Sequence, residues 1–188
     1  GGAISAYGGY TTIRNSSFNE NTQKNYGAIY IKGSDNVIGY SSFTANKTTN
    51  NYGGAISIVD GDTTINSSFF GENTSAGRAG AMYNDGTATI TSSVFSNNSA
   101  GTAGGAFLNY GTAYINNSIF SENHMTAAGG DGGAIRNSGG TTTLTNVVFK
   151  NNASTDDGGA IDNRATLNVI ADKGSVYFAG NTNGTGSM

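Results

Sequence analysis

Cysteine, proline and tryptophan are absent from this 188-residue chain, leucine occurs three times and histidine once. Without cysteine there are no disulfides, no thiolate metal sites and no cysteine nucleophile. A chain free of cysteine is also compatible with export through a periplasm before folding. The lack of proline suits a continuous hydrogen-bonded strand ladder, to which proline cannot donate. Charge is scarce too: Asp, Glu, Lys and Arg together make 11%, which excludes the charge-swollen composition of a disordered chain. The net charge of −3 and the pI near 4.9 exclude the basic stripe that nucleic-acid binding needs. No run of like charge exceeds the pair Asp156–Asp157, so there is no polybasic membrane signal. No apolar stretch approaches the ~18 residues of a membrane helix, and direct membrane insertion by a helix is not expected.

What fills the chain instead is Gly, Asn, Ser and Thr around short apolar segments, and these repeat. One word is GGA or GA followed by an apolar residue, with its alanine at Ala3, Ala28, Ala55, Ala81, Ala106, Ala134 and Ala160. The other is FxxN, at Phe18/Asn21, Phe43/Asn46, Phe70/Asn73, Phe95/Asn98, Phe120/Asn123, Phe149/Asn152 and Phe178/Asn181. The alanines stand 25 to 28 residues apart, and the two words keep phase seven times. A period near 25 admits a leucine-rich repeat or a β-helix. Three leucines in the whole chain cannot supply the leucine consensus. The apolar segments (TTIRNSSF, TTINSSFF, AYINNSIF, TTLTNVVF) are β-branched or aromatic and read as strands. No window sustains a helical period, so almost no helix is expected.

The expected fold is therefore all-β: a right-handed parallel β-helix (solenoid) of about seven coils, roughly 25 residues each. Residues 1–181 form one domain, read as a stretch of a longer solenoid, and 182–188 a flexible tail. In each coil a first strand carries GGA plus its apolar residue, and a second holds Ile13, Ile38, Ile65, Ile90, Ile115 or Leu144. The phenylalanine follows five residues later. Five is odd, so both side chains point inward only if a bend breaks the alternation between them. Asn15, Asn117 and Asn146 lie where that bend belongs, and asparagine tolerates the left-handed conformation. The asparagine of FxxN closes a second corner. Coils about 4.8 Å apart would superpose the phenylalanines in one column and the asparagines in another. These fourteen residues are the expected structural ladder. The three glutamates share the FxEN slot in the first, third and fifth coils, spaced about 10 Å by stacking. The last coil lengthens between GGA and Phe178.

The alternating GGAI and FxxN words resemble the repeats of the chlamydial polymorphic outer-membrane protein family and of related bacterial autotransporter passengers. The resemblance runs through the whole chain, and NVIADKGSVYFAGN in the last coil also looks like a passenger segment. It implies a right-handed β-helix and an adhesin or immune-facing passenger on the bacterial surface, carried outward by a C-terminal barrel. Implied too are an extracellular or outer-membrane location and a host or neighbouring-cell protein or glycan as partner, without catalysis.

Candidate chemistry is sparse, and neither a cofactor nor a metal site is expected. The β-helix also serves as a scaffold for polysaccharide lyases and hydrolases, whose chemistry needs converging carboxylates. Asp156, Asp157 and Asp162 lie near Arg164, and Asp131 near Arg136, but all fit turn positions before or after GGA. The single histidine, His124, has no second His or Cys to build a zinc site. It opens HMTAAGGDGG, the longest FxxN-to-GGA connection, and His124, Met125 and Asp131 mark the candidate binding loop. Asp60/Asp62 and Asp156/Asp157 are the places for a stray calcium, though the β-roll consensus is absent. Self-association through the end coils is a further expectation, since exposed strand edges can pair with another chain. A monomer by light scattering at high concentration would exclude it.

Overall fold

The computed structural model describes residues 1–184; residues 185–188, the end of the tail expected over 182–188, lie outside the described residues. It is a parallel β-solenoid in which each strand pairs with its counterparts in the adjacent coils, and the described residues contain no helix. Three sheets have seven strands and a fourth has five. The first sheet starts at Ile4–Tyr7 and ends at Ile161–Asn163, and the second runs from Thr12–Arg14 to Thr166–Ile170. The third runs from Ser17–Asn19 to Tyr177–Ala179, and the short fourth from Thr22–Gln23 to His124–Met125. Thr182 bridges Ala153, so pairing reaches one residue beyond Asn181.

Side chains that alternate in and out along a strand leave one inward residue per coil in each column. In the second sheet that column is Ile13, Ile38, Ile65, Ile90, Ile115, Leu144 and Val169. In the third it is the phenylalanines, stacked nearly parallel with ring centroids 4.5–5.2 Å apart. The five from Phe43 to Phe149 are fully buried, whereas Phe178 in the last coil is 48% exposed. Each stacked pair contributes about 0.5–1.5 kcal/mol beyond its buried area. No coil buries its own inner face alone, so stability accumulates between neighbours.

Left-handed backbone recurs at three corners of the coil: the bend before the third sheet, the corner before the FxxN asparagine and, from Gly53 onward, the GGA corner. The bend demanded by the odd spacing has positive φ at Asn15, Tyr40, Ser67, Ser92, Asn117 and Asn146 (45–53°). A serine follows this bend in the first five coils. Its hydroxyl donates to the carbonyl two residues back and accepts the N–H of the preceding coil's serine, as Ser93 does with Thr91 and Ser68.

The second corner corrects the expectation that the FxxN asparagine makes the turn. None of Asn21, Asn46, Asn73, Asn98, Asn123, Asn152 and Asn181 has positive φ; the left-handed residue is the one before each of them. Glu20, Ala45, Glu72, Asn97, Glu122, Asn151 and Gly180 all have φ of 53–63°. The physical reason is that the asparagine side chain is needed inside, where it points along the rod, while the turning residue points out. The three glutamates are thus exposed corner residues, and nothing in the structure explains their alternation between coils.

The asparagine braces that corner from inside. The side-chain oxygen of Asn98 accepts both the backbone N–H and the amide of Asn73, at 3.0 and 2.9 Å. Its own amide donates to the Asn123 oxygen and to the Phe70 carbonyl, each at 2.9 Å. Asn46 repeats the pattern near the start of the rod: its amide donates to the Asn73 oxygen and the Phe18 carbonyl, and its oxygen accepts the Asn21 amide. Asn152 repeats it near the end, donating to the Asn181 oxygen and the Phe120 carbonyl and accepting the Asn123 amide. Asn46 and Asn152 are fully buried, like the three asparagines between them. From Asn46 to Asn152 the column is buried and its amide groups are engaged within the ladder.

A second asparagine column, Asn84, Asn109, Asn137 and Asn163, crosses the end of the first sheet in the last four coils. Earlier coils place Ile58, Ile31 and Ala6 there. The long last coil is a local insertion: Ile170 still pairs with Thr145 and Tyr177 with Val148, and the extra residues loop out between them.

Candidate binding face

The outward positions of the first sheet belong to two interleaved columns. One, in strand register, is Ser5, Tyr30, Ser57, Tyr83, Leu108, Arg136 and Asp162. The other, just before the strands, is Tyr26, Tyr52, Arg78, Ala103 and Asp131, joined by single parallel bridges. With Tyr7 and Tyr110 from the strand ends, they set six tyrosines in a line along the rod. Ring contacts pass from Tyr7 to Tyr30, Tyr26, Tyr52, Tyr83 and Tyr110, with centroids 4.4–6.3 Å apart. Tyr83 and Leu108 are buried in a small outer cluster with Ala79 and Ala103, and Tyr52, Val59 and Tyr110 cover it. Burial first, then the Asp85 carboxylate, pushes the Tyr83 phenol well above its usual pKa, so it stays uncharged.

Where the tyrosines end, charges begin. Asp131, only 6% exposed, receives Arg136 Nη1 and Arg164 Nη2, the latter at 2.8 Å. Asp162 accepts Arg164 Nε at 2.9 Å and lies 3.4 Å from Arg136 Nε, whose N–H goes to the Ser138 hydroxyl. Two coils thus contribute two acids and two bases to one closed network. Arg78 lies one step along the face, its guanidinium 6.0 Å over the Tyr52 ring, and Nη1 donates to the Tyr110 hydroxyl at 3.1 Å. Between Arg78 and the charge network is a cleft of about 210 Å³ lined by Thr102, Ala103, Tyr110, Gly129 and Arg136 as well as Arg78.

The structure separates the three residues of the candidate binding loop. His124 and Met125 form a two-residue strand of the fourth sheet rather than loop. His124 faces solvent with Nδ1 3.4 Å from the Glu122 carbonyl. Met125 turns in and is 5% exposed. The loop proper is 126–130, and its Gly129 walls the cleft. Only Asp131 joins the charged face. Asp157 touches it solely by a long N–H contact to Asp131 Oδ1, at 3.4 Å. Among the described residues no three His, Asp or Glu side chains converge as metal ligands.

A second, shallower groove of about 690 Å³ follows the bend between the second and third sheets, where Tyr40 and Phe69 flank Ser16, Ser41 and Ser68. The hydroxyls of Ser41 and Ser68 already donate to carbonyls and accept N–H groups within the ladder, which leaves those two little to offer a ligand.

Two segments, residues 92–110 and 146–164, match the Chlamydia polymorphic membrane protein repeat. Each begins at the left-handed bend, passes through the ladder phenylalanine and asparagine, and ends beyond GGA at the second asparagine column. The matched repeat is therefore the unit that makes the third sheet, the corner and the next coil's first strand. No curated protein and no solved structure matches the chain.

Proposed function

We propose that this solenoid, which carries the Chlamydia polymorphic membrane protein repeat, is a passenger-like binding module of the bacterial surface that acts by adhesion, not catalysis. The observation that carries the reading is the six-ring tyrosine line on the outer face of the first sheet, where Tyr7, Tyr26, Tyr52 and Tyr110 reach the surface over the buried Tyr30 and Tyr83. Tyrosine offers a large, rigid, amphipathic surface at low cost in conformational entropy, which suits recognition. The alternative, a glycan-cleaving β-helix, needs an acid and a base or nucleophile free to act on one bond. Asp131 and Asp162 instead each engage two guanidinium groups, an arrangement that suits a fixed surface better than proton transfer.

Polygalacturonate and hyaluronan incubated with the chain should show no new reducing ends, while fluorescently labelled chain should bind a cultured epithelial monolayer saturably. Cleavage abolished by Asp131→Asn or Asp157→Asn would overturn the adhesive reading, and so would a failure to bind the cells.

A further inference from the structure

We propose that the cleft at Arg78 is a subsite for an anionic group on a glycan, a uronate carboxylate or a sulfate, with the neighbouring tyrosines taking the sugar faces. The inference rests on the binding-module reading and narrows it to a ligand class.

Three arginines stand on this face, and their partners differ. Arg136 and Arg164 each contact both Asp131 and Asp162, so those four charges cancel locally. Among the described residues Arg78 makes no ion pair with a carboxylate. Its contacts are a phenol and a ring, Tyr110 and Tyr52. These hold the guanidinium in place and leave its charge uncompensated. A positioned, unpaired guanidinium is suited to bidentate recognition of a carboxylate or sulfate. Beyond a Debye length of about 8–10 Å the chain's overall negative charge is screened, so Arg78 sets the local sign.

The cleft has the right scale and shape. At about 210 Å³ it is smaller than the roughly 300–1,000 Å³ of a pocket that encloses a whole small ligand. It admits one charged substituent and the edge of its ring, while the rest of a polymer lies outside. Thr102 and Tyr110 add hydroxyl groups to its lining. Gly129, with φ of 73° and no atom within 4 Å of where a Cβ would be, keeps one side open. From there the rings continue along the rod in a single line, matching a chain of repeating sugars with apolar C–H faces. A protein partner would be favoured by a deep apolar pocket for an anchoring side chain, and the cleft is lined mainly by polar groups.

Tyrosine fluorescence, unobscured in a chain without tryptophan, reads the binding of four probes: oligogalacturonate, heparin-derived oligosaccharide, neutral cello-oligosaccharide and polyglutamate. The acidic sugars should bind at least about tenfold more tightly than the neutral one, and Arg78→Gln should remove about that factor and most of the salt dependence. Lys150→Gln, an exposed cation on the third sheet, should bind the acidic sugars as the parent does. Preference for heparin over galacturonate would identify sulfate as the group, and the reverse a carboxylate. Equal binding of neutral and acidic sugars, an Arg78→Gln chain that binds like the parent, or a preference for polyglutamate would each overturn the proposal. If no probe binds yet the chain still binds the epithelial monolayer, the subsite fails and the adhesive reading stands.

Discussion

Replacing Asn98 with leucine should destabilise the solenoid by about 4 kcal/mol or more, although leucine is apolar, similar in size and placed in a buried column. The reason is the number of groups the asparagine serves. Its removal takes the acceptor from the Asn73 N–H and from one hydrogen of the Asn73 amide. It also takes the amide from the Phe70 carbonyl and leaves the Asn123 oxygen with one donor instead of two. Asn73, Asn98 and Asn123 are all fully buried, so water cannot replace these bonds, and each orphaned group costs about 1–3 kcal/mol. Chemical denaturation of parent and variant measures the loss; a difference below about 1 kcal/mol would mean that the column is ornament.

Asn98→Asp refines the test. A carboxylate keeps the two bonds received from Asn73 but sets oxygen against the Phe70 carbonyl and the Asn123 oxygen. Its neutral form is favoured, so the introduced group's pKa in the folded chain lies above the unfolded value of about 3.9. A raised folded pKa gives stability that is fully present below the unfolded pKa and lost as pH rises through the folded one. The variant should therefore approach the parent in acid and fall behind it towards neutrality. A constant deficit across that range would contradict the hydrogen-bond assignment.

The parts of this architecture that could be read in the sequence are those where one residue type recurs at one place. Phenylalanine and asparagine in FxxN do so in all seven coils, and the odd spacing from Ile115 to Phe120 forces a bend at Asn117 by parity alone. Where the backbone makes the demand and many side chains can meet it, the words are silent. The second corner is left-handed in every coil, yet its residue is Glu122 in one, Ala45 in another and Gly180 in a third. That variety hid the turn behind its invariant neighbours, so Asn46 and Asn152 looked like the corner when Ala45 and Asn151 make it. The second asparagine column was visible as an Asn three residues after the alanine (Asn84, Asn109, Asn137, Asn163), but it begins only in the fourth coil. The binding face was hidden for a different reason. Its tyrosines come from three places in the coil: before GGA (Tyr26, Tyr52), within the first strand (Tyr30, Tyr83) and at or beyond its end (Tyr7, Tyr110). Only the register of neighbouring coils brings them into one line. Likewise Asp131 with Arg136 and Asp162 with Arg164 read as two local pairs in sequence, and stacking fuses them into one network.

The second glycine of GGA yields the other large effect. The first, as at Gly104 with φ of 62°, is required by the left-handed corner, and Ala79 shows that a Cβ can be borne there. The second is required by proximity. A Cβ on Gly105 would overlap the Gly133 carbonyl of the next coil and lie 2.8 Å from the His124 nitrogen. Gly54, Gly80 and Gly133 meet the corresponding carbonyls of Gly80, Gly105 and Gly159 in the same way. These obstacles are backbone already held in the ladder: Gly105 itself donates to the Gly132 carbonyl at 3.0 Å, and the His124 N–H to the Asn98 carbonyl at 3.0 Å. Neither can withdraw without parting two coils. Gly105→Ala, which adds a single methyl group, should therefore cost about 4 kcal/mol or more, the range reserved for severe steric faults. Gly129→Ala meets no atom within 4 Å and carries only the penalty of a left-handed alanine, about 1–2 kcal/mol. Because coils are stabilised by their neighbours, hydrogen exchange in Gly105→Ala should rise first between the fifth and sixth coils. If Gly105→Ala and Gly129→Ala lose stability equally, conformational freedom rather than close packing explains the glycine, and the tight approach of successive coils at this corner is wrong.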